Sequence, residues 1–253
     1  IYTQASFVAQ RILELRDEGI ELEEIAVLYR AHYQAMELQM ELTNRGIPFN
    51  ITSGLRFFEQ AHIKDVAAFM KLAVNRKDEV AFKRIARMLP GIGVVSASKL
   101  WSEWVKSPIV KSDNPPDSFS DHLEKFKVPS KSRNTWIQFG YTMDEMAPDG
   151  ELASPREMIS SILGGVYDDY MRSKFTNYDN RIQDLEQLKR YSEQFEDTAE
   201  FLSQLALLSG VEGEPTRNNE REDKSEAVTL SSVHQAQGLE WRAVFVIWLT
   251  DRI

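Results

Sequence analysis

Runs that read as buried β-strands occur only towards the two ends of this chain. "EIAVLYR" (residues 24–30) and "IPFNIT" (47–52) precede a long middle, and "AVTL" (227–230) and "AVFVIWL" (243–249) follow it. Each is short, rich in β-branched and aromatic residues, and bounded by polar ones. Amphipathic helical patterns surround the first pair: "SFVAQRILELRDEG" (6–19), "YQAMELQMELTNRG" (33–46) and "EQAHIKDVAAFMKLAV" (59–74). Such β–α–β alternation at short spacing argues for a parallel sheet with crossover helices. From about Asp78 only helical periodicity is seen, in "EVAFKRIARML", "RNTWIQFGYTMDEM", "PREMISSILGGVYDDYM", "NRIQDLEQLKRYSEQF" and "TAEFLSQLALLSG". The expected architecture is therefore α/β and split. A partial parallel-sheet domain over residues 1–85 and 225–253 would carry an all-helical insertion over 86–224. "KSPIVKSDNPPDS" and "SGVEGEPTRNNEREDKSE" read as loops from their Pro, Gly, Asn and charge content.

Composition narrows the function classes. The 253 residues are 42% hydrophobic, enough for a real core, with a formal net charge of −9. Whole-chain charge does not advertise a polyanion binder, but nucleic-acid footprints are local. Cys is absent, which removes disulfides and thiolate metal sites and leans towards a cytosolic protein. No apolar run approaches the ~20 residues of a membrane-spanning helix, and no signal peptide is visible. The chain starts at Ile1 and stops just after a strand, at "TDRI"; it reads as a fragment of something longer.

Two stretches concentrate chemistry. "SSVHQAQGLEW" (231–241) is a polar run between two buried strands, which places it at a sheet edge, where α/β proteins keep ligand-binding residues. His234 has no partners for zinc: His32, His62 and His122 are scattered. A Ser/His/Asp triad drawn on Ser231 or Ser232 lacks a G-x-S-x-G elbow. "LPGIGVVSASKL" (89–100) looks like a helix-hairpin-helix element. Gly91 and Gly93 allow a tight turn and close backbone approach, and the amides opening the next helix can face a phosphate oxygen. Between residues 83 and 111 stand six basic residues (Lys83, Arg84, Arg87, Lys99, Lys106, Lys111) and one acid, Glu103. Arg30, where a buried strand emerges, has the planar fork that suits an anion, although, taken alone, a surface Arg paired with a nearby Glu is the better reading. Phe57 and Phe58 read as core rather than as base-stacking residues. No G-x-x-x-x-G-K-[ST] phosphate loop is present, and no strand ends in an acidic pair for Mg²⁺.

Taken in order, "IAVLYRAHYQAMELQMELTNRGIPF", "GLRFFEQAHIKDVAAFMKLAVNRKDE", "LPGIG", "RIQDLEQL" and "VTLSSVHQAQGLEWRAVFVI" closely resemble the second motor half of the UvrD/Rep/PcrA-like superfamily I DNA helicases. The first block resembles helicase motif IV and the last motif V; the helical middle resembles the 2B subdomain, carried on a RecA-like 2A subdomain. The resemblance implies an ATP-dependent DNA helicase, using ATP and Mg²⁺, that translocates on single-stranded DNA and unwinds duplex. It implies a cytoplasmic or nucleoid protein with an N-terminal motor lobe as partner. That lobe would hold the main phosphate and metal ligands, so this chain alone is expected to be inactive. By the same resemblance, Arg30 approaches the ATP γ-phosphate, Gly238 and Glu240 belong to the nucleotide contact, and Ser232, His234 and Gln237 touch the single strand. Gly91, Gly93 and Lys99 would meet duplex backbone. Motif V usually reads H-x-x-K-G-L-E; here Gln237 replaces the Lys, removing a phosphate-pairing charge. Two alternatives are a motor module in a helicase–nuclease complex and a non-motor helix-hairpin-helix DNA-binding protein.

Overall fold

The computed structural model describes residues 4–52, 57–111, 118–210 and 226–249. The chain divides into two compact units, Ile1–Gln60 with Ala206–Ile253, and Ala61–Leu205. The expected boundaries at 85/86 and 224/225 fall inside these units. The first does so because the helix at Ala61–Val74 packs on later helices of the second unit.

In the first unit, α1 (Gln4–Asp17), β1 (Ile25–Tyr29), α2 (Met36–Asn44) and β2 (Phe49–Ile51) come from the start of the chain. From its end come β3 (Val228–Ser232) and β4 (Ala243–Val246). The four strands form one parallel sheet in the order β2-β3-β1-β4. β1 thus pairs only with strands from the far end of the chain. Val27 faces Leu230 on one side and Phe245 on the other. Ile25, Val27 and Tyr29 alternate onto one face and are fully buried with Val228 and Leu230. Against that face sit Val8, Ala9 and Ile12 of α1 and Leu38 and Leu42 of α2, the period-3.6 stripe meeting the period-2 one. Gly19 and Gly46 close the two helices at φ +88 and +65, the left-handed position that glycine fills without a Cβ clash.

The second unit is helical among its described residues. It comprises α3 (Ala61–Val74), α4 (Glu79–Ala86), α5 (Val94–Trp104), α6 (Pro108–Lys111), α7 (Phe119–Leu123), α8 (Arg133–Met146), α9 (Pro155–Gly164), α10 (Val166–Lys174) and α11 (Tyr178–Ser192), and takes in the start of α12 (Thr198–Gly210). Caps explain several starts. Asp78 accepts from the Ala81 amide ahead of α4. Ser154 and Glu157 form a reciprocal capping box ahead of α9, with Pro155 in its first turn. One expected helix, "PREMISSILGGVYDDYM", is broken in two at Gly165. The first expected loop contains a helical turn, α6; residues 112–117 of it and 211–225 of the second expected loop lie outside the described residues.

Phe82, Trp104, Phe126, Trp136 and Phe139 form a chain of ring contacts at the centre of this unit. The Trp136 Nε1–H finds the Leu123 carbonyl at 3.0 Å, so the buried indole leaves no donor unmet. A polar network roots α3. Arg84 Nε donates to Asp65 at 2.6 Å and the Tyr167 hydroxyl donates to Asp65 at 2.8 Å. His62 Nε2 lies 3.1 Å from Asp184, and Arg181 meets His62 Nδ1. Burial, then Asp65, pushes the Tyr167 hydroxyl far above its usual range, which keeps it a hydrogen-bond donor. Among the described residues no helix is long and apolar enough to cross a membrane.

Two glycines of this unit differ sharply in what a methyl group would meet. A Cβ on Gly140 would stand 2.7 Å from the Ser120 Cα, whereas one on Gly164 meets nothing within 4 Å. Gly140→Ala should therefore destabilise the unit by about 1–3 kcal/mol, because backbone has to move. Gly164→Ala should lie within about 0.5 kcal/mol of the parent, on the stabilising side. Urea unfolding followed by circular dichroism measures both; equal midpoints would show that α7 does not lie against α8 at this distance.

Candidate functional site

All four strands are parallel, so their C-terminal ends share one edge. Arg30 is the first residue past β1 there, and it is exposed. Tyr29 pairs with Ser232, and the Val233 amide donates to the Tyr29 carbonyl at 2.9 Å. The turn that leaves β3 therefore begins beside Arg30. That turn covers residues 233–238. The Gln235 and Ala236 amides both fold back onto the Ser232 carbonyl at 3.0 Å, and the Ser232 hydroxyl donates to Gln235 Oε1 at 3.0 Å. Ala236 is buried as the turn's inner anchor, while His234 and Gln237 are exposed. Gly238 closes the turn at φ +86. Gln237 is thus not packed into the protein.

Among the described residues the Arg30 guanidinium has no ion-pair partner, so a surface pair does not account for it there. Its backbone N–H, with that of Ala31, is held by Gln34 Oε1 at 2.9 and 3.0 Å. Gln34 was not singled out from sequence; its only local signal is its place four residues after Arg30.

Glu240 stands elsewhere. Ala243 pairs with Ile25 at the other end of β1, and Arg242 lies 3.5 Å from Glu24. Glu240 consequently lines an open cleft of about 620 Å³ with Glu23, Glu24, Asn50, Trp241 and Arg242. Arg30 and Glu240, both expected at the nucleotide, are separated by the length of a five-residue strand, roughly 16 Å. Ser232, His234, Gln237 and Arg30 share one edge; Glu240 does not.

In the helical unit, Gly91, Gly93 and Lys99 come together at the α4–α5 connection. Gly91 has φ +79 and needs to be glycine for its backbone. Gly93 is different: it has φ −93 and ψ −174 and a Cβ there would meet nothing. It forms the N-cap of α5 with no side-chain cap, and Val94 and Val95 beside it are 63% and 70% exposed. The first-turn amides of α5 thus lack a side-chain cap. The Ser132 hydroxyl donates to the Pro90 carbonyl at 2.6 Å and fixes the turn against the segment that carries Lys131. Lys131 is exposed next to Gly91; forty residues of separation hid it from sequence reading. The basic excess is smaller in space than in sequence, because Lys83 pairs with Glu79 at 2.5 Å and Arg84 with Asp65. Arg87, Lys99, Lys106 and Lys111 are exposed. Phe57 and Phe58 are buried, edge to face at 5.0 Å, and not available to bases. No group of three His, Asp or Glu that could hold a metal occurs among the described residues.

The model of the UvrD-like helicase C-terminal domain family matches residues 2–253. Among curated proteins, the chain is 26% identical to the ATP-dependent DNA helicase PcrA of Bacillus subtilis, over 100% of this chain and 35% of the relative. It is 26% identical to DNA helicase II of Escherichia coli, over 98% and 35%. A probable DNA helicase II homolog of Mycoplasma capricolum is 27% identical over 99% and 34%. The chain spans about a third of the length of the curated relatives it matches.

Two binding measurements test the placements. Gly93→Val fits the backbone at Gly93 yet covers the open approach to the α5 amides. It should abolish weak, sequence-indifferent duplex binding and leave the circular dichroism spectrum unchanged; undiminished binding would remove the turn from the interface. Gln237→Lys adds a charge at an exposed turn position. It should tighten single-stranded DNA binding and steepen its salt dependence by about one phosphate's worth, ~0.7 in the logarithmic slope. Parallel salt plots of equal affinity would place residue 237 off the strand.

Proposed function

The chain belongs to the UvrD-like helicase C-terminal domain family, and from that premise we propose that it is the second motor half of an ATP-dependent DNA helicase. In the whole protein it would couple ATP hydrolysis to translocation on single-stranded DNA and to duplex unwinding, in the cytoplasm or nucleoid. The observation that carries this reading is the exit of β1: an exposed Arg30 with no ion-pair partner among the described residues, its peptide hydrogen-bonded in place, beside the polar turn 233–238.

The residues fit their parts chemically. An Arg at a strand end presents a planar fork to phosphate oxygens, and none of the described residues holds it in an ion pair that would first have to break. Glu240, exposed, has the acceptor oxygens for a sugar hydroxyl, but it stands at the opposite sheet edge from Arg30, so one nucleotide meets both only by spanning the two edges. ATP, with Mg²⁺, supplies the phosphoanhydride bond and the charge compensation. The phosphate cradle and metal ligands belong to an N-terminal motor lobe, since this chain has no G-x-x-x-x-G-K-[ST] sequence. Arg30 gives electrostatic stabilisation across the cleft between lobes, where it counts only when the lobes are closed. Ser232, His234 and Gln237 present donors and acceptors to a single strand from the same edge. Gly91, Gly93 and Lys99 present uncapped amides and a cation to duplex phosphates, contacts that carry affinity without base information. Alternating closure of the lobes then tightens and loosens these contacts in turn.

Arg30→Ala tests this in the intact protein. DNA-stimulated ATP hydrolysis should fall by about a thousandfold or more, with single-stranded DNA affinity in the absence of nucleotide unchanged. An unaltered kcat would refute the assignment of Arg30.

A further inference from the structure

What holds the Arg30 peptide in place at the exit of β1 can be traced residue by residue. Strand pairing on β1 ends at Tyr29, whose carbonyl takes the Val233 amide. The next two amides, of Arg30 and Ala31, have left the ladder and need acceptors. Both are taken by one atom, Gln34 Oε1. The Gln34 amide in return donates to the Ala31 carbonyl at 3.0 Å, so the two residues are joined in both directions. Gln34 is itself held from the far side. Its carbonyl accepts the Trp248 Nε1–H at 2.9 Å. Trp248 follows β4 at φ +58, a left-handed backbone that a bulky residue rarely adopts and that persists only where its surroundings over-determine it. Its own amide donates to Gln4 Oε1 at 3.2 Å.

We propose that Gln34 is a positioning residue for Arg30, and that Trp248 locks Gln34 from the end of β4. The physical reason is lever length. An Arg side chain carries its charge far from its Cα, so a small rotation of an untethered peptide displaces the guanidinium by a large fraction of a hydrogen-bond length. Arg contacts to phosphate depend on that geometry. Strand pairing fixes the peptide on one side only, and Gln34 fixes it on the other. Gln34 is the side chain of the turn that places an acceptor on both amides. The proposal rests on the reading of Arg30 as a contact to the reacting phosphate.

A double-mutant cycle on DNA-stimulated ATP hydrolysis by the intact protein decides it. Gln34→Ala should lower kcat by about three- to tenfold, the rate equivalent of one neutral hydrogen bond, with KM for ATP little changed. In an Arg30→Ala background the same substitution should cost nothing further, since there is no guanidinium left to place. Gln34→Glu keeps the acceptor and should retain more activity than Gln34→Ala. Trp248→Phe removes only the indole donor and should give a smaller loss that also vanishes without Arg30. It carries the test should Gln34→Ala not fold, which a thermal melt shows. Losses by Gln34→Ala and Arg30→Ala that multiply would mean that Gln34 merely supports the fold and would overturn the proposal. So would a loss by Gln34→Glu as large as that by Gln34→Ala. If Arg30→Ala alone is fully active, the reading of Arg30 fails first, and this result is distinguishable from the others.

Discussion

The proposed site of the sheet unit depends on one pairing: among the described residues, β1 is hydrogen-bonded only to strands that follow it by some two hundred residues. Because β3 lies between β2 and β1, the first two strands of the chain never touch. Neither can form a sheet until the C-terminal segment arrives. Closing so long a stretch costs on the order of 5 kcal/mol if it behaves as a flexible loop, and less when the intervening residues fold as a unit of their own. The arrangement has a direct consequence at the site. The peptide of Arg30 is framed by Val233, just past β3, and by the end of β4, so its surroundings come from sequence that local reading cannot associate with it.

The helical unit solves a different problem, holding a short turn still. The α4–α5 turn is bare on its outer side at Gly93. Its rigidity comes from beneath, where Leu89 and Ile92 are buried and Phe82 of α4 meets the Trp101 and Trp104 rings of α5. It also comes from one side, where the Ser132 hydroxyl grips the Pro90 carbonyl. The two glycines therefore have separate reasons to exist. Gly91 satisfies a backbone angle; Gly93 keeps a surface open.

Elements set by local chemistry were legible in the sequence. The four strands, α8 and α12 lie where β-rich composition or helical periodicity placed them, and the family match covers residues 2–253 where the resemblance covered nearly the whole chain. What was not legible depends on through-space partners. Lys83 and Arg84 look like part of a basic patch until Glu79 and Asp65 are found beside them. Lys131 joins the glycine turn only through folding. Glu240 follows the polar turn closely in sequence, yet the return to the start of β4 carries it to the opposite sheet edge. The break at Gly165 depends on neighbouring structure too, since a Cβ there would collide with Thr142 Oγ1 at 2.3 Å.

The answer to why a polar run lies between these strands is then geometric; β3 is largely buried as expected, whereas β4, also expected to be buried, leaves Val244 and Val246 exposed. A parallel strand that ends at one edge must send its chain back to the other edge before the next strand can begin, and β3 does so without a long helix. Residues 233–242 are the whole of that return. Such a crossing has amides and carbonyls to satisfy over its whole length, which suits polar residues, and it starts one backbone hydrogen bond from Arg30. If the proposed roles hold, the group that meets the nucleotide and the turn that meets the strand share the Tyr29 carbonyl as a common support. Displacing the turn then strains the peptide that carries Arg30, and closing on a phosphate restrains the turn. The two events bias the same few atoms, which is the physical requirement for one to drive the other.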